Sequence, residues 1–285
     1  MTKKANRFKR FLSPLAPYRI FKSTKLMLII AVLFALRIIL GFVHISIPNI
    51  NISISFAWIP IMVAGWIFGP VHGLIFGFVC DSFGFLISPT SVWFWMYAIQ
   101  EPLIGMISGI TRSWYEFRKQ KSKNIVYDVL IQQIVLFAFA LTSLCGILLW
   151  VNDNILDYFN SYKYICIGLI CVYFVGIEIF TFINFFKNHE DKNKSLLFLY
   201  SVAFLSMIMI SFSFLLGPIA AVEYLKYING SYPEMYMRYG LLIYLIPRII
   251  VQSIKVPIES LIFCSTILVI NPIFNNYFNA LENKW

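Results

Sequence analysis

Seven ionisable side chains fall inside the apolar stretches of this 285-residue chain: Arg37, Asp81, Glu101, Glu178, Arg248, Lys255 and Glu259. A charge at bilayer depth is costly and marks a pathway or a binding site by default. Arg248, Gln252, Lys255 and Glu259 are spaced by four, three and four residues, which places them on one face of a helix. A polar stripe on an apolar helix has to face protein or water, and Pro247 and Pro257 around it suit a cavity-lining helix better than a lipid-facing one. Arg37, Asp81 and Arg248, together with Trp93, Trp95 and Tyr97, supply two cations, a carboxylate and flat rings. Converging at one depth, they would hold a planar, polar, anionic ligand. The alternatives are ion pairs that only fix packing, Arg37 with Asp81 and Lys255 with Glu259, and an aromatic belt at the membrane interface.

The elements that must carry these groups follow from composition. Apolar residues make up 60% of the chain and charged ones 13%, with a mean hydropathy of +0.78, against about a quarter charged in a soluble domain. A soluble globule, a disordered chain and a secreted disulfide scaffold are excluded. The fold class expected is an all-α polytopic membrane protein with about eight helices, near 26–44, 56–68, 70–88, 91–110, 128–151, 164–186, 196–217 and 239–270. The second, ending in Gly69-Pro70, is short for a span.

With both termini cytoplasmic, the cytoplasmic segments hold 17 of the 23 Lys and Arg residues, against Lys163, Lys226 and Arg238 on the other side. This is the positive-inside pattern, so the +10 net charge reads as orientation, and no nucleic-acid partner is expected. The basic residues before Leu26 read as a cytoplasmic tail leading into an uncleaved first helix. Small residues recur four apart at Ala31/Ala35, Gly65/Gly69, Gly73/Gly77 and Gly105/Gly109, a spacing that lets helix backbones approach closely in lipid. Cys80, Cys145, Cys166, Cys171 and Cys264 show no CxxC spacing, and His44 and His72 are isolated, so neither a metal nor a disulfide is expected. No GxxxxGK[ST], HExxH or GxSxG motif occurs, so ATP binding by a P-loop and these hydrolytic chemistries have no support, and the chain is not read as an enzyme. No cofactor is expected.

Three motifs carry a family resemblance: Ile54, Ser55, Phe56 and Pro60 at the entry to the second helix; Gly65, Phe68, Gly69, Pro70, Val71 and Gly73 at the turn; and Asp81, Gly84, Leu86 and Pro89 at the exit of the third. With Arg248, Pro257, Ile258 and Glu259 near the end, this pattern resembles the folate-family S components of energy-coupling factor (ECF) vitamin transporters. The resemblance implies a non-catalytic, multi-pass subunit of the cell membrane that captures folate or a related pterin from outside. It implies as partners a coupling transmembrane subunit, met through Ala31 and Ala35, and two ATPase subunits, the liganded subunit toppling against that module to deliver its cargo. The expected ligand contacts are Arg37, Asp81, Trp93, Trp95, Tyr97, Arg248, Gln252 and Lys255, with Asn51 and Ser53 from the 45–55 loop.

Family members have six helices, so a helical pair is taken as inserted. The chain then divides into a tail (1–25), an N-terminal half of the core (26–127), the inserted pair (128–186) and a C-terminal half (187–285). The segment SVWFWMYAIQEP stands where the family has small, Gly-rich residues, which keeps another vitamin such as riboflavin open as the ligand. A proton-coupled secondary transporter using the 248–259 stripe with Glu101 and Glu178 also remains open, although no internal repeat of the kind common in such folds is present.

Overall fold

The computed structural model describes residues 23–47, 52–87, 92–121, 125–150, 160–187 and 191–282. Its helices are α1 Thr24–Phe42, α2 Trp58–Phe68, α3 Pro70–Ile87, α4 Trp95–Ala98, α5 Gln100–Lys121, α6 Ile125–Trp150, α7 Asn160–Lys187, α8 Lys192–Ile208, α9 Leu216–Asn229, α10 Glu234–Tyr239 and α11 Leu242–Glu282. Among the described residues, six stretches are long and apolar enough to cross a membrane: α1, α3, most of α6, most of α7, the continuous rod 193–229, and the 242–272 part of α11. Their outward faces, with Leu28, Ile134, Val172 and Phe182 all more than 60% exposed, match a lipid surround rather than water. The protein is an all-helical polytopic membrane protein in its architecture, with one addition: the expected loop after α1 contains a short antiparallel hairpin, β1 His44–Ile47 and β2 Ile52–Ser55, with His44 opposite Ser55 and Ile47 opposite Ile52.

Two boundaries depart from expectation, each for a physical reason, while the short second helix stands where it was expected and is central to the bundle. Nearly every residue of α2 from Ile59 to Phe68 is buried, because a helix apolar on all sides belongs inside a bundle, and here α1, α3, α5 and α11 surround it. Trp66 packs edge-on against Phe263 at 5.5 Å between ring centroids. The expected helix over 91–110 is instead the single turn α4 followed by α5, which runs on to Lys121; the amphipathic 111–121 stretch keeps its helix by turning apolar residues such as Tyr115, 2% exposed, to the core. The seventh rod extends well past 217 through a π-helical segment, Met209–Leu215, where the Leu216 N–H reaches back five residues to the Ser211 carbonyl. Pro218 follows, and its missing N–H leaves the Phe214 carbonyl outside the α-ladder, a setting in which a widened turn is at home.

The Gly pairs close the α2–α3–α5 contact. A Cβ on Gly65 would lie 2.9 Å from the Gly105 carbonyl carbon, and one on Gly109 would lie 2.6 Å from the Pro70 Cα. The small-residue spacing on α2, α3 and α5 therefore marks packing within the chain. Hairpin α6–α7 lies against α8 and α11.

At the other end of the bundle from the strands, Asp191 caps α8, accepting from the Asn193 and Lys194 N–H groups at 3.1 and 3.3 Å. The hydrogen bond from the Lys194 N–H is the largest influence holding its carboxyl below the usual aspartate value. A depressed acid stabilises the fold above its unfolded pKa, near 4, and the contribution is lost as pH falls through the lower folded value. Asp191→Ala is accordingly expected to lower amide protection of the first turn of α8 at pH 7, and the difference from wild type is expected to shrink as pH falls through the lowered folded value.

Candidate functional site

Two adjoining cavities open at the hairpin end. The first, about 390 Å³, lies between α1, α3, α4 and α9, with Arg37, Asp81, Trp93, Phe94, Tyr97 and Tyr224 in its wall. The second, about 350 Å³, is bounded by β2, the start of α2, the π-helical segment and α11; Ser55, Trp58, Gln100, Ser213, Arg248, Gln252 and Lys255 line it. Tyr97 belongs to both walls. It stands edge-on to Phe94 and Tyr224 at 6.0 and 5.7 Å, so an aromatic partition divides one polar region into two chambers.

The charges on these walls are not equivalent. Arg37 makes a two-pronged pair with Glu101 of α5, Nη2 to Oε1 at 2.5 Å and Nε to Oε2 at 3.1 Å. Of the packing alternatives, the expected Arg37–Asp81 pair is therefore replaced by Arg37–Glu101. Helix α5 begins at Gln100, so Glu101 faces the middle of α1 in its first turn. The guanidinium fits because residue 84 is glycine: a Cβ there would lie 2.9 Å from the Arg37 Cζ. Asp81 instead lies beside the Trp93 indole. Lys255 Nζ lies 3.3 Å from Glu259 Oε1, one helical turn on, and 5.1 Å above the Trp58 ring.

Arg248 is the exception. It rests in a notch made by Gly217, where a Cβ would meet its Cζ at 3.0 Å, and its guanidinium lies beside the Tyr97 hydroxyl. No carboxylate among the described residues pairs with it, and its buried Nε has no hydrogen-bond acceptor. Gln252 Nε2 donates to Ser213 Oγ at 3.0 Å, while its buried Oε1 is unpartnered. Buried polar groups are normally satisfied; here a guanidinium N–H and an amide oxygen on the same face of α11 are left available to a third party.

The 4-3-4 spacing of Arg248, Gln252, Lys255 and Glu259 does place them on one face, the first three on the cavity wall and Glu259 buried beneath. Arg37, Asp81, Trp93 and Tyr97 meet in the first cavity. Trp95 is 56% exposed and lines neither. Asn51 lies outside the described residues, and Ser53 is placed by its backbone alone, in β2 opposite Ser46. Ala31 and Ala35 are exposed on α1 among Leu28, Val32 and Ile39. Glu178 is remote from the site, accepting from Gln133 Nε2 at 2.5 Å. Sequence reasoning missed Gly84, Gly217, Ser213, Trp58, Gln100 and Tyr224 as parts of the site. Glu101 carried a signal, an acid in an apolar stretch; a glycine that makes room for a guanidinium two helices away carries none.

The family model described as "ECF-type riboflavin transporter, S component" matches residues 21–147, which contain α1 to α5 and the side chains of the first cavity apart from Tyr224. Over 95% of this chain and 99% of its own length, uncharacterized protein MG313 of Mycoplasma genitalium is 32% identical to it. Its Mycoplasma pneumoniae homologue is 28% identical over the same shares. No solved structure matches. The N-terminal part of the chain thus carries the S-component pattern of ECF-type transporters, and the chain as a whole belongs to the family of the mycoplasmal MG313 proteins.

Proposed function

We propose that the protein is the substrate-binding S subunit of an ECF-type importer and that its ligand is a flavin-type vitamin, taken into the two chambers around Tyr97. The observation that carries this reading is the unopposed Arg248. With Arg37 committed to Glu101 and Lys255 to Glu259, the walls offer one uncommitted cation and one carboxylate without a cationic partner, Asp81. That balance suits a neutral, planar ring system with carbonyl acceptors and an N–H donor. It suits the glutamate dianion of folate less well, since each carboxylate would need a cation of its own. The matching family model, described as that of a riboflavin transporter S component, supports the same ligand.

In this reading Arg248 donates to a ring carbonyl, the rings of Trp93, Phe94, Tyr97 and Tyr224 cover the ring faces, and Gln252 with Gln100 and Ser55 takes polyol hydroxyls. Both termini are cytoplasmic, by the distribution of basic residues, and the chambers open outward. The exposed Ala31–Ala35 face of α1 meets a coupling transmembrane subunit, which carries two ATPases, because small side chains let a partner helix approach and part again. Hairpin α6–α7 lends no described residue to either chamber and flanks the core.

Stacking quenches flavin fluorescence, so titrating the purified protein into riboflavin tests the ligand directly, with folate in a parallel thermal-shift series. Saturable quenching without a folate response is expected; tight folate binding without a riboflavin response would overturn the ligand assignment and leave the class standing. Arg248→Ala is expected to weaken binding by tenfold to a hundredfold, the range for one hydrogen bond from a charged donor. An unchanged affinity would make Arg248 structural. Proton-coupled secondary transport predicts instead that uptake survives loss of the ATPases and collapses with the proton gradient.

A further inference from the structure

A third cavity, of about 230 Å³, lies away from the strands between α5, α6 and α8. Its wall is largely apolar, with Ile131, Val135, Ala203 and Met207, and its mouth carries Asp128 and Tyr200. The mouth is already satisfied: Arg118 Nε donates to Asp128 Oδ1 at 2.7 Å, and the Trp114 indole donates to Tyr200 at 3.1 Å. The Gln132 side chain in the wall is not. It is 4% exposed, and both its Nε2 and its Oε1 lack any hydrogen-bond partner. Gln132 follows Asp128 by one helical turn, about 6 Å deeper along α6.

A buried amide without partners carries the full cost of its desolvation, and nothing in vitamin capture makes use of this one. Water is a poor remedy, since a buried water wants two to four polar contacts and the surface that lines this cavity is almost all hydrocarbon. Its rim includes Ile110 and Trp114, 39% and 47% exposed on the face turned to lipid. The occupant that completes it has an aliphatic body and one group that both donates and accepts, as a hydroxyl does. A phosphate headgroup gains little here, because the cation at the mouth, Arg118, is engaged by Asp128.

We propose that this cavity binds a neutral, hydroxyl-bearing membrane lipid, whose hydroxyl donates to Gln132 Oε1 and accepts from Nε2 while its chain fills the space between α5, α6 and α8. Such a lipid would seat the α6–α7 hairpin against the rest of the bundle. The inference is independent of the vitamin assignment.

Native mass spectrometry of the delipidated, full-length protein in detergent tests it, with dioleoylglycerol and dioleoyl phosphatidylglycerol offered separately at equal concentration. One equivalent of dioleoylglycerol is expected to remain on the wild type, with at least tenfold less on Gln132→Leu, an apolar replacement of similar size. Ala203→Phe, which fills the cavity from α8, is expected to have the same effect and decides the matter if Gln132→Leu does not elute as a monodisperse species. Equal retention by wild type and variants, no retention by the wild type, or preference for the phosphate lipid would each overturn the proposal.

Discussion

Arg37→Ala is expected to destabilise the protein by about 3–5 kcal/mol, the range for removing one partner from a buried ion pair. The side chains of Arg37 and Glu101 are 13% and 10% exposed, and the pair is two-pronged, so the alanine variant strands a carboxylate in the interior against α1. The sharper prediction concerns the double variant. Arg37→Met with Glu101→Leu removes both charges, keeps the volume near that of the originals, and is expected to recover most of the loss, because apolar replacement of an entire buried pair is often neutral. Urea or thermal unfolding in detergent, arranged as a double-mutant cycle, reads this out. An Arg37→Ala variant within about 1 kcal/mol of wild type would mean that water reaches the pair and that it does not tie α1 to α5.

The second large effect belongs to a glycine. In Gly105→Leu the new Cβ lies 2.6 Å from the Gly73 carbonyl carbon, and the atom it meets is backbone, which has no rotamer to change. Helices α3 and α5 would have to part, opening the contact that surrounds α2. The expected cost exceeds about 4 kcal/mol, beyond the ordinary range of single substitutions, and shows as loss of monodisperse protein after extraction. Gly168→Ala and Gly176→Ala on α7 are the controls: a Cβ there meets nothing within 4 Å, and helix propensity favours alanine by up to about 1 kcal/mol. If all three behave alike, close backbone contact is not what holds α2, α3 and α5 together.

Much of the site was legible before the fold. Side chains four or three apart on one helix share a face in any structure, so the Arg248–Glu259 stripe could be read from spacing, and so could the closeness of the Gly pairs. Trp93, Trp95 and Tyr97 show where that reasoning ends. They were grouped as one aromatic wall, yet the short turn α4 leaves Trp95 half exposed and gives both chambers Tyr97. The polar role of the 209–215 segment was equally hidden, because its sequence, MISFSFL, reads as an apolar helix and the π-helical turn that brings Ser213 to Gln252 depends on what packs around it.

The amino-acid order settles which stretches leave water, since a run of some twenty apolar residues has one favourable environment and its backbone satisfies itself as a helix there. Periodicity then assigns each polar group to a helix face. Neither property reaches from one helix to another. Whether Arg37 meets Asp81 or Glu101, and whether Arg248 meets an acid at all, turns on distances of a few ångströms across helices whose partners are far apart in sequence. Those distances are set by how closely glycine-bearing backbones pack, and it is the packing that leaves Arg248 beside a tyrosine with a buried Nε–H that no described group accepts.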